Sequence, residues 1–275
     1  MNKYNLCPSC KEVNIDNHHN IYSVVSKDCN PLKSSIPFFN EQNVGNQKVH
    51  INLGKQHANC LIHYYSSQKQ YDNKFVKVKD SYQNSSNRGL KKLDNNGEAI
   101  LKLDCPQHYI ENKKSYMSHV HILVSDKNMT QWKNKLITYS VLCKIPIQVL
   151  KKHIINDDRL LINALSEEYH TKSHIYKSFN LYYKDAKKMT PKEIQTKVKE
   201  MITDYPKYKA YIKKHKITFL DIPICVYCYN STCSAGHQLA NELYRSGFTN
   251  VIDYQNGITE WDTKKSNKKS NKKSK

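Results

Sequence analysis

Between Pro223 and Trp261 the hydropathy pattern changes in a way that few architectures accommodate. Pro223-Ile-Cys-Val-Tyr-Cys is a short continuous apolar run, the signature of a strand buried on both faces. A polar stretch, Tyr229-Asn-Ser-Thr-Cys, follows it. From Ser234 to Ser246 the residues Ala235, Leu239, Ala240 and Leu243 recur at helical spacing, and Gly247 supplies a C-terminal stop. Asn250-Val-Ile-Asp reads as a further strand, and Gly257 to Trp261 begins a last short helix. Upstream, Pro146 to Ile155 suits a short helix and Arg159-Leu-Leu-Ile-Asn-Ala another buried strand. Thr190-Pro-Lys-Glu is a helix start, with Thr190 as N-cap, Pro191 at the first helical position and Glu193 as the box partner. Ile194, Val198, Met201 and Ile202 then lie along one face. Strand and helix in alternation predict a parallel α/β sheet.

The preceding half has a different period. Lys48-Val-His-Ile-Asn-Leu, Asn59-Cys-Leu-Ile-His-Tyr-Tyr, Phe75-Val-Lys-Val, Ala99-Ile-Leu-Lys-Leu and His119-Val-His-Ile-Leu-Val all suit strands, and Asp94-Asn-Asn-Gly is a strong turn. With almost no helical periodicity, this half predicts an all-β sandwich of short antiparallel strands. The expected organisation is therefore a polar, cysteine-containing segment over 1–35, a β-sandwich domain over 36–138, an α/β domain over 139–263 and a tail over 264–275. A length of 275 residues accommodates two such domains.

Net charge is +20, but seven lysines and no acid sit in the repetitive tail from Lys264, so the rest carries +13. Such a tail cannot bury a core and is expected to be disordered, with a weak polyanion contact as its most it would offer. No apolar run approaches the roughly 18–20 residues of a spanning helix, so no membrane segment is expected. The polar start, Met1 to Lys11, shows no secretory signal. A reducing, cytoplasmic setting follows as the expectation, with cysteines as thiols, metal ligands or redox centres before disulfides.

Cys228 is the residue this pattern singles out. It ends a buried strand and precedes a helix, and sites in parallel sheets form at the carboxyl ends of strands. Backbone N–H groups of the loop and the helix N-terminus would face its sulfur, which predicts a pKa below the free value of about 8.5 and a nucleophilic thiolate. The plain alternative is a buried structural thiol, as Cys225 would be.

Val226-Tyr-Cys-Tyr-Asn-Ser-Thr-Cys-Ser-Ala, followed by Leu239-Ala, Leu243, Gly247-Phe, Asn250-Val and Gly257-Ile with Trp261, resembles the second half of a rhodanese domain. Arg159-Leu-Leu-Ile-Asn-Ala-Leu-Ser-Glu-Glu-Tyr and His174-Ile-Tyr-Lys-Ser-Phe-Asn are similar to the family's upstream half, in the right order. The resemblance covers roughly residues 140 to 263. It implies a doubly wound parallel sheet and a sulfurtransferase in which Cys228 carries sulfane sulfur as a persulfide and passes it to a thiol, cyanide or other nucleophile. Tyr229, Asn230, Ser231, Thr232, Cys233 and Ser234 would form the active-site loop, with no metal and no cofactor. The expected partners are small sulfur donors and acceptors or protein thiols.

Cys228 to Cys233 is six residues, which matches sulfurtransferase rhodaneses; the related phosphatases have one residue more and an arginine where Cys233 stands. Two departures bear on the donor. Asn163-Ala-Leu165 replaces the Asp-X-Arg element of many members, and the loop has no Arg or Lys, so thiosulfate would depend on backbone donors, Ser231 and Thr232. A protein or low-molecular-weight persulfide is an equally good donor. Cys233 reads either as a thiol that closes a disulfide with Cys228 or as a small packing residue. His237 reads as a surface residue or as a proton donor. The alternatives to a sulfurtransferase are a catalytically weak interaction module and a dithiol redox protein using Cys228 and Cys233.

In the other half, Cys7 and Cys10, with His18, His19 and Cys29, offer ligand types for zinc, against free thiols as the alternative. His57, Cys60, His63, Cys105, His108, His119 and His121 populate the strand region. His119 and His121 would share one face of a strand, suiting a metal or a polar pocket. Asn95-Asn-Gly-Glu-Ala-Ile-Leu-Lys-Leu-Asp-Cys-Pro-Gln and the His-Val-His strand are similar to the β-sandwich of intradiol-type dioxygenases. Those enzymes hold iron with paired His and paired Tyr; the sequence does not place the full set. The expectation is a non-catalytic sandwich that binds a partner or places the α/β domain.

Overall fold

The computed structural model describes residues 45–69, 76–82, 85–111, 114–130, 132–203 and 206–263. Cys7, Cys10, His18, His19, Cys29 and the tail from Lys264 therefore lie outside the described residues. The chain divides into two compact units, Met1–Val141 and Leu142–Lys275.

The first unit is rich in strands. β1 (Gln47–Asn52) pairs antiparallel with β5 (Glu98–Leu103). A four-stranded antiparallel sheet runs β4 (Arg88–Lys92), β2 (Leu61–Ser66), β8 (His119–Ser125), β9 (Trp132–Ser140). A third sheet holds β3 (Val76–Lys77), β6 (Tyr109–Glu111) and β7 (Lys114–Tyr116), with β3 and β6 parallel. Every residue of β8 is buried, so this central strand lacks a solvent face. The Asp94 turn forms as its sequence dictates: Asp94 Oδ1 accepts the N–H groups of Asn96 and Glu98, both at 2.8 Å. One expectation is corrected. The strand expected over Phe75–Val78 is only two residues long and gives way to a short helix, α1 (Val78–Tyr82), which buries Ser81 and Tyr82.

The second unit is built on a five-stranded sheet in the order β10 (Cys143–Lys144), β14 (Val251–Tyr254), β13 (Ile224–Tyr227), β11 (Leu160–Asn163), β12 (Phe179–Asn180), and every pair in it is parallel. The three central strands, β14, β13 and β11, are buried throughout, which is why they read as continuous apolar runs. The helices are α2 (Ile147–Asn156), α3 (Glu167–Lys172), α4 (Tyr183–Ala186), α5 (Pro191–Thr203), α6 (Pro206–His215) and α7 (Ala235–Arg245). The start of α5 is a reciprocal cap: Thr190 N–H donates to Glu193 Oε2 at 2.6 Å and Glu193 N–H to Thr190 Oγ1 at 3.3 Å. Ile194, Val198 and Ile202 of α5 are buried. α7 packs on β13 and β14 through Leu239, Ala240 and Leu243, all fully buried. It stops at Gly247, whose φ of +93° is the left-handed conformation that glycine adopts without cost.

This strand order sets up a site. After β11 the chain pairs β12 on one side, then returns to add β13 on the other. At such a reversal the loops leaving the two central strands diverge and open a crevice beyond their carboxyl ends. Cys228 is the first residue past the end of β13. Among the described residues no helix is long and apolar enough to cross a membrane. Cys60, Cys225, Cys228 and Cys233 are free thiols, whereas Cys105 and Cys143 each take part in a disulfide, against the expectation of thiols, metal ligands or redox centres before disulfides.

Candidate functional site

The loop after β13 is fixed from below by the segment that follows β14. Ile258 N–H donates to the Cys228 carbonyl and Thr259 N–H to the Tyr229 carbonyl, both at 3.0 Å. Thr259 Oγ1 donates to the same Tyr229 oxygen, and Gln255 Nε2 donates to the Ser231 carbonyl. Gly257 makes this approach possible. Its φ is +61°, and a Cβ there would lie 2.3 Å from the Cys228 oxygen and 2.7 Å from the Tyr229 carbonyl carbon.

Asn230 organises the loop from within. Its Oδ1 accepts the N–H groups of Thr232 and Cys233, both at 3.1 Å, and the Thr232 hydroxyl at 2.9 Å. Cys233 N–H also donates to the Asn230 carbonyl at 3.1 Å, which turns the loop back over Cys228. Tyr229, Ser231, Thr232 and Ser234 are exposed, while Asn230 and Cys233 are half-buried. Of the six expected loop residues, Asn230 and Cys233 place their carbonyls against the Cys228 sulfur, and Asn230 Oδ1 engages two backbone donors and the Thr232 hydroxyl.

Burial reverses the expected electrostatics. Cys228 is buried, and its thiol donates to the Cys233 carbonyl at 3.2 Å. Burial, and then the Cys233 side chain hydrogen-bonded to it, push its pKa up to about 12, while the Gly236 N–H acts in the opposite direction. The expected low pKa is therefore corrected: the resting residue is a neutral thiol. Cys225 is a packing thiol, fully buried in β13 with its pKa raised by burial.

Sequence reasoning missed the carboxyl group beside this site. Asp253 ends up 3% exposed, and its Oδ1 has no hydrogen-bond partner. A Cβ on Gly236 would lie 3.1 Å from that oxygen and 3.6 Å from the Cys228 backbone nitrogen, so Asp253 is seated under the first turn of α7. Burial raises its pKa to about 7, with Lys144 acting against the shift. In the sequence Asp253 looked like a strand-end residue of no distinction. His237 stands on the exposed side of α7, and desolvation followed by the Lys144 charge lowers its pKa, which favours the neutral imidazole. On the other side of β13, Tyr227 hydroxyl accepts the Ile175 N–H at 3.0 Å and pairs with Ser178 Oγ at 2.6 Å. Asn163, in place of the acidic residue common in the resembling family, is fully buried, and its Oδ1 accepts the Leu165 N–H at 2.7 Å.

The first unit contains a second constellation. His119 Nε2 lies 3.0 Å from His121 Nε2, 3.3 Å from Tyr82 hydroxyl and 3.2 Å from Tyr109 hydroxyl, and all four residues are buried. His119 Nδ1 is 2.5 Å from the Met117 carbonyl, which can only accept, so that nitrogen carries the proton and Nε2 presents a lone pair. His121 Nδ1 is likewise held, by Thr138 Oγ1 at 3.0 Å. Ligand atoms bound at roughly 2 Å to one tetrahedral ion stand roughly 3.3 Å apart, and the three separations from His119 Nε2 are of that size. Among the described residues no group of three His, Cys, Asp or Glu side chains could hold a metal ion. Any metal here would need the two phenols, which the sequence reading did not assign. With 20 tyrosines in the chain, no spacing marks these two out.

Two changes test this geometry. Gly257→Ala should destabilise the second unit by at least about 2 kcal/mol in denaturant unfolding, because the loop backbone itself must move to admit the methyl group. For Asp253, the unfolded carboxyl ionises from about pH 4 and the folded one from about 7, so folding takes up a proton in that window and stability falls as pH rises through it. Asp253→Asn should match the natural chain near pH 4 and exceed it at pH 8 by a few kcal/mol, read as unfolding midpoints at both pH values.

Compared with known proteins, residues 147–264 match the family described as Rhodanese-like domain. No curated protein matches the chain. Among solved structures it is similar to the human single-domain sulfurtransferase TSTD1, at 15% identity over 44% of this chain and 96% of that one, with a TM-score of 0.31. An uncharacterized protein from Saccharomyces cerevisiae is similar at 16% identity, over 46% of this chain and 96% of that one, with a TM-score of 0.32. With Cys228 at the carboxyl end of a central strand of a parallel sheet, the match over 147–264 makes that part of the chain a rhodanese-like domain.

Proposed function

We propose that the second unit is a sulfurtransferase that carries sulfane sulfur as a persulfide on Cys228. The observation that carries this reading is the six-residue loop from Cys228 to Cys233, standing past the end of β13 where the strand order reverses. Cys228 sulfur attacks the outer sulfur of a donor R–S–SH. The donor S–S bond breaks, the R–S group leaves with the proton given up by Cys228, and Cys228–S–SH remains. An acceptor nucleophile then takes the outer sulfur and returns the electron pair of the S–S bond to Cys228. Gly236 N–H stabilises the Cys228 anion in both half-reactions.

The loop favours a persulfide donor over thiosulfate. It holds no cationic side chain, and Asn230 Oδ1 already accepts from Thr232 and Cys233 N–H. A dianion would have to displace that carboxamide, whereas a persulfide needs fewer donors. After incubation with glutathione persulfide, mass spectrometry should find one added sulfur on the Cys228 peptide, and none in Cys228→Ser. Cyanide should release it as thiocyanate. Because the resting thiol is neutral, loading should speed up about tenfold per pH unit between pH 7 and 9, as the thiolate fraction does. Absence of loading at every pH would leave the interaction module as the better reading.

A second reading concerns the first unit, and the convergence of four ligand-type atoms there favours it. His119, His121, Tyr82 and Tyr109 would hold a transition metal, with phenolate oxygens favouring ferric iron. Such an ion, when bound, supplies a Lewis acid. Met117 carbonyl and Thr138 fix the imidazoles so that both Nε2 atoms face it. Tyr65, Leu123, Leu136 and Trp132 pack around the two tyrosines and keep water away. Protein produced with added iron should contain about one metal ion per chain and show a visible phenolate-to-metal absorption band. Tyr82→Phe and Tyr109→Phe should each shift or abolish that band. Metal-free protein without the band would overturn this reading.

A further inference from the structure

We infer that Cys233 is a resolving thiol that discharges the Cys228 persulfide as hydrogen sulfide, giving the chain a sulfide-releasing activity beside transfer to external acceptors. The inference rests on the persulfide reading of Cys228. Three observations lead to it. First, the Asn230 turn folds residue 233 back over the nucleophile: Cys233 N–H bonds both the carbonyl and Oδ1 of Asn230, and the Cys233 carbonyl lies 3.2 Å from Cys228 Sγ. Second, the Cys233 side chain lies near enough to the Cys228 thiol to help push its pKa up, so the two thiols are neighbours across the loop. Third, Cys228 is buried while Cys233 is half-exposed, so a disulfide between them can be reopened from solvent at the Cys233 sulfur.

Cys225 has none of these properties. It is fully buried within β13, with its sulfur on the Val226 carbonyl, and no loop brings it to a solvent-facing position. The chemistry balances without an oxidant. Cys233 sulfur attacks the inner sulfur of Cys228–S–SH, the bond between inner and outer sulfur breaks, and the outer sulfur leaves as hydrosulfide. It takes the proton lost by Cys233 and departs as hydrogen sulfide. The outer sulfur is reduced and the Cys233 sulfur is oxidised, while the Cys228 sulfur keeps the oxidation level it had in the persulfide as the Cys228–Cys233 disulfide forms. Two equivalents of a low-molecular-weight thiol then reduce that disulfide, restore both thiols and leave as their own disulfide.

The test is a single turnover without external thiol. The full chain and Cys233→Ser are loaded with glutathione persulfide, freed of excess donor by rapid gel filtration, and followed by intact mass and by sulfide release. The natural chain should release about one sulfide per loaded Cys228 and end two hydrogens lighter than the reduced protein, with Cys228 and Cys233 joined in the peptide map. Cys233→Ser should keep the added sulfur, release none unaided, and still yield thiocyanate with cyanide, which also shows that the variant is folded and competent. A natural chain that holds its persulfide as long as Cys233→Ser, while both yield thiocyanate, would overturn the inference and leave the sulfur-carrier reading standing. Failure of both proteins to load would bring down the carrier reading and this inference with it.

Discussion

Everything at the Cys228 site depends on one close backbone approach. The chain leaving β14 passes so near the end of β13 that the Cys228 and Tyr229 carbonyls accept the first amides of the helical segment over 257–263, and residue 257 must be glycine for this to happen. With the Cys228, Tyr229 and Ser231 carbonyls tied downward, the loop's N–H groups, its side chains and the Asn230 and Cys233 carbonyls are left to arrange around the sulfur. Asn230 takes two of those N–H groups. The parallel sheet supplies the position, the glycine contact supplies the rigidity, and the asparagine decides which donors remain.

The electrostatic consequence differs from the simple picture of an amide-lined loop holding a thiolate. Two ionisable groups, Cys228 and Asp253, are buried on either side of Gly236, and burial raises the pKa of both. An ionised Asp253 further disfavours a charged Cys228, so the two groups resist ionising together. The site thus rests as a neutral thiol. A neutral thiol is slow to react with oxidants and metals, both of which need the thiolate.

Legibility in the sequence followed physical strength. Central strands β11, β13 and β14 were visible because burial on both faces demands uninterrupted apolar residues, and α5 and α7 because a cap and a stop bracket an apolar stripe. Short elements escaped. α3 has no buried residue and α6 carries three basic residues in its last turn, so neither presents a clear apolar stripe to detect. The position of Cys228 and its loop was also legible, since it follows from strand, loop and helix order. The charge state of its sulfur was not. It depends on the burial of Cys228, on the Cys233 side chain folded back beside it and, last, on Asp253, a residue 25 positions away that strand pairing brings near.

The histidine pair of the first unit illustrates the same limit from the other side. Alternation along β8 was enough to put His119 and His121 on one face. What makes them more than a polar pair is a matter of counting lone pairs. Neutral His119, with Nδ1 committed to the Met117 carbonyl, has one lone pair at Nε2, and three polar atoms crowd it within 3.3 Å. Hydrogen bonding alone lets that nitrogen accept well from one of them. A cation at the centre, if one were bound, would draw a lone pair from each of the four atoms. The tyrosines that complete this set come from α1 and β6, elements of five and three residues that no periodicity announces. Their convergence on β8 is a property of the fold, and the chemistry it permits becomes visible only there.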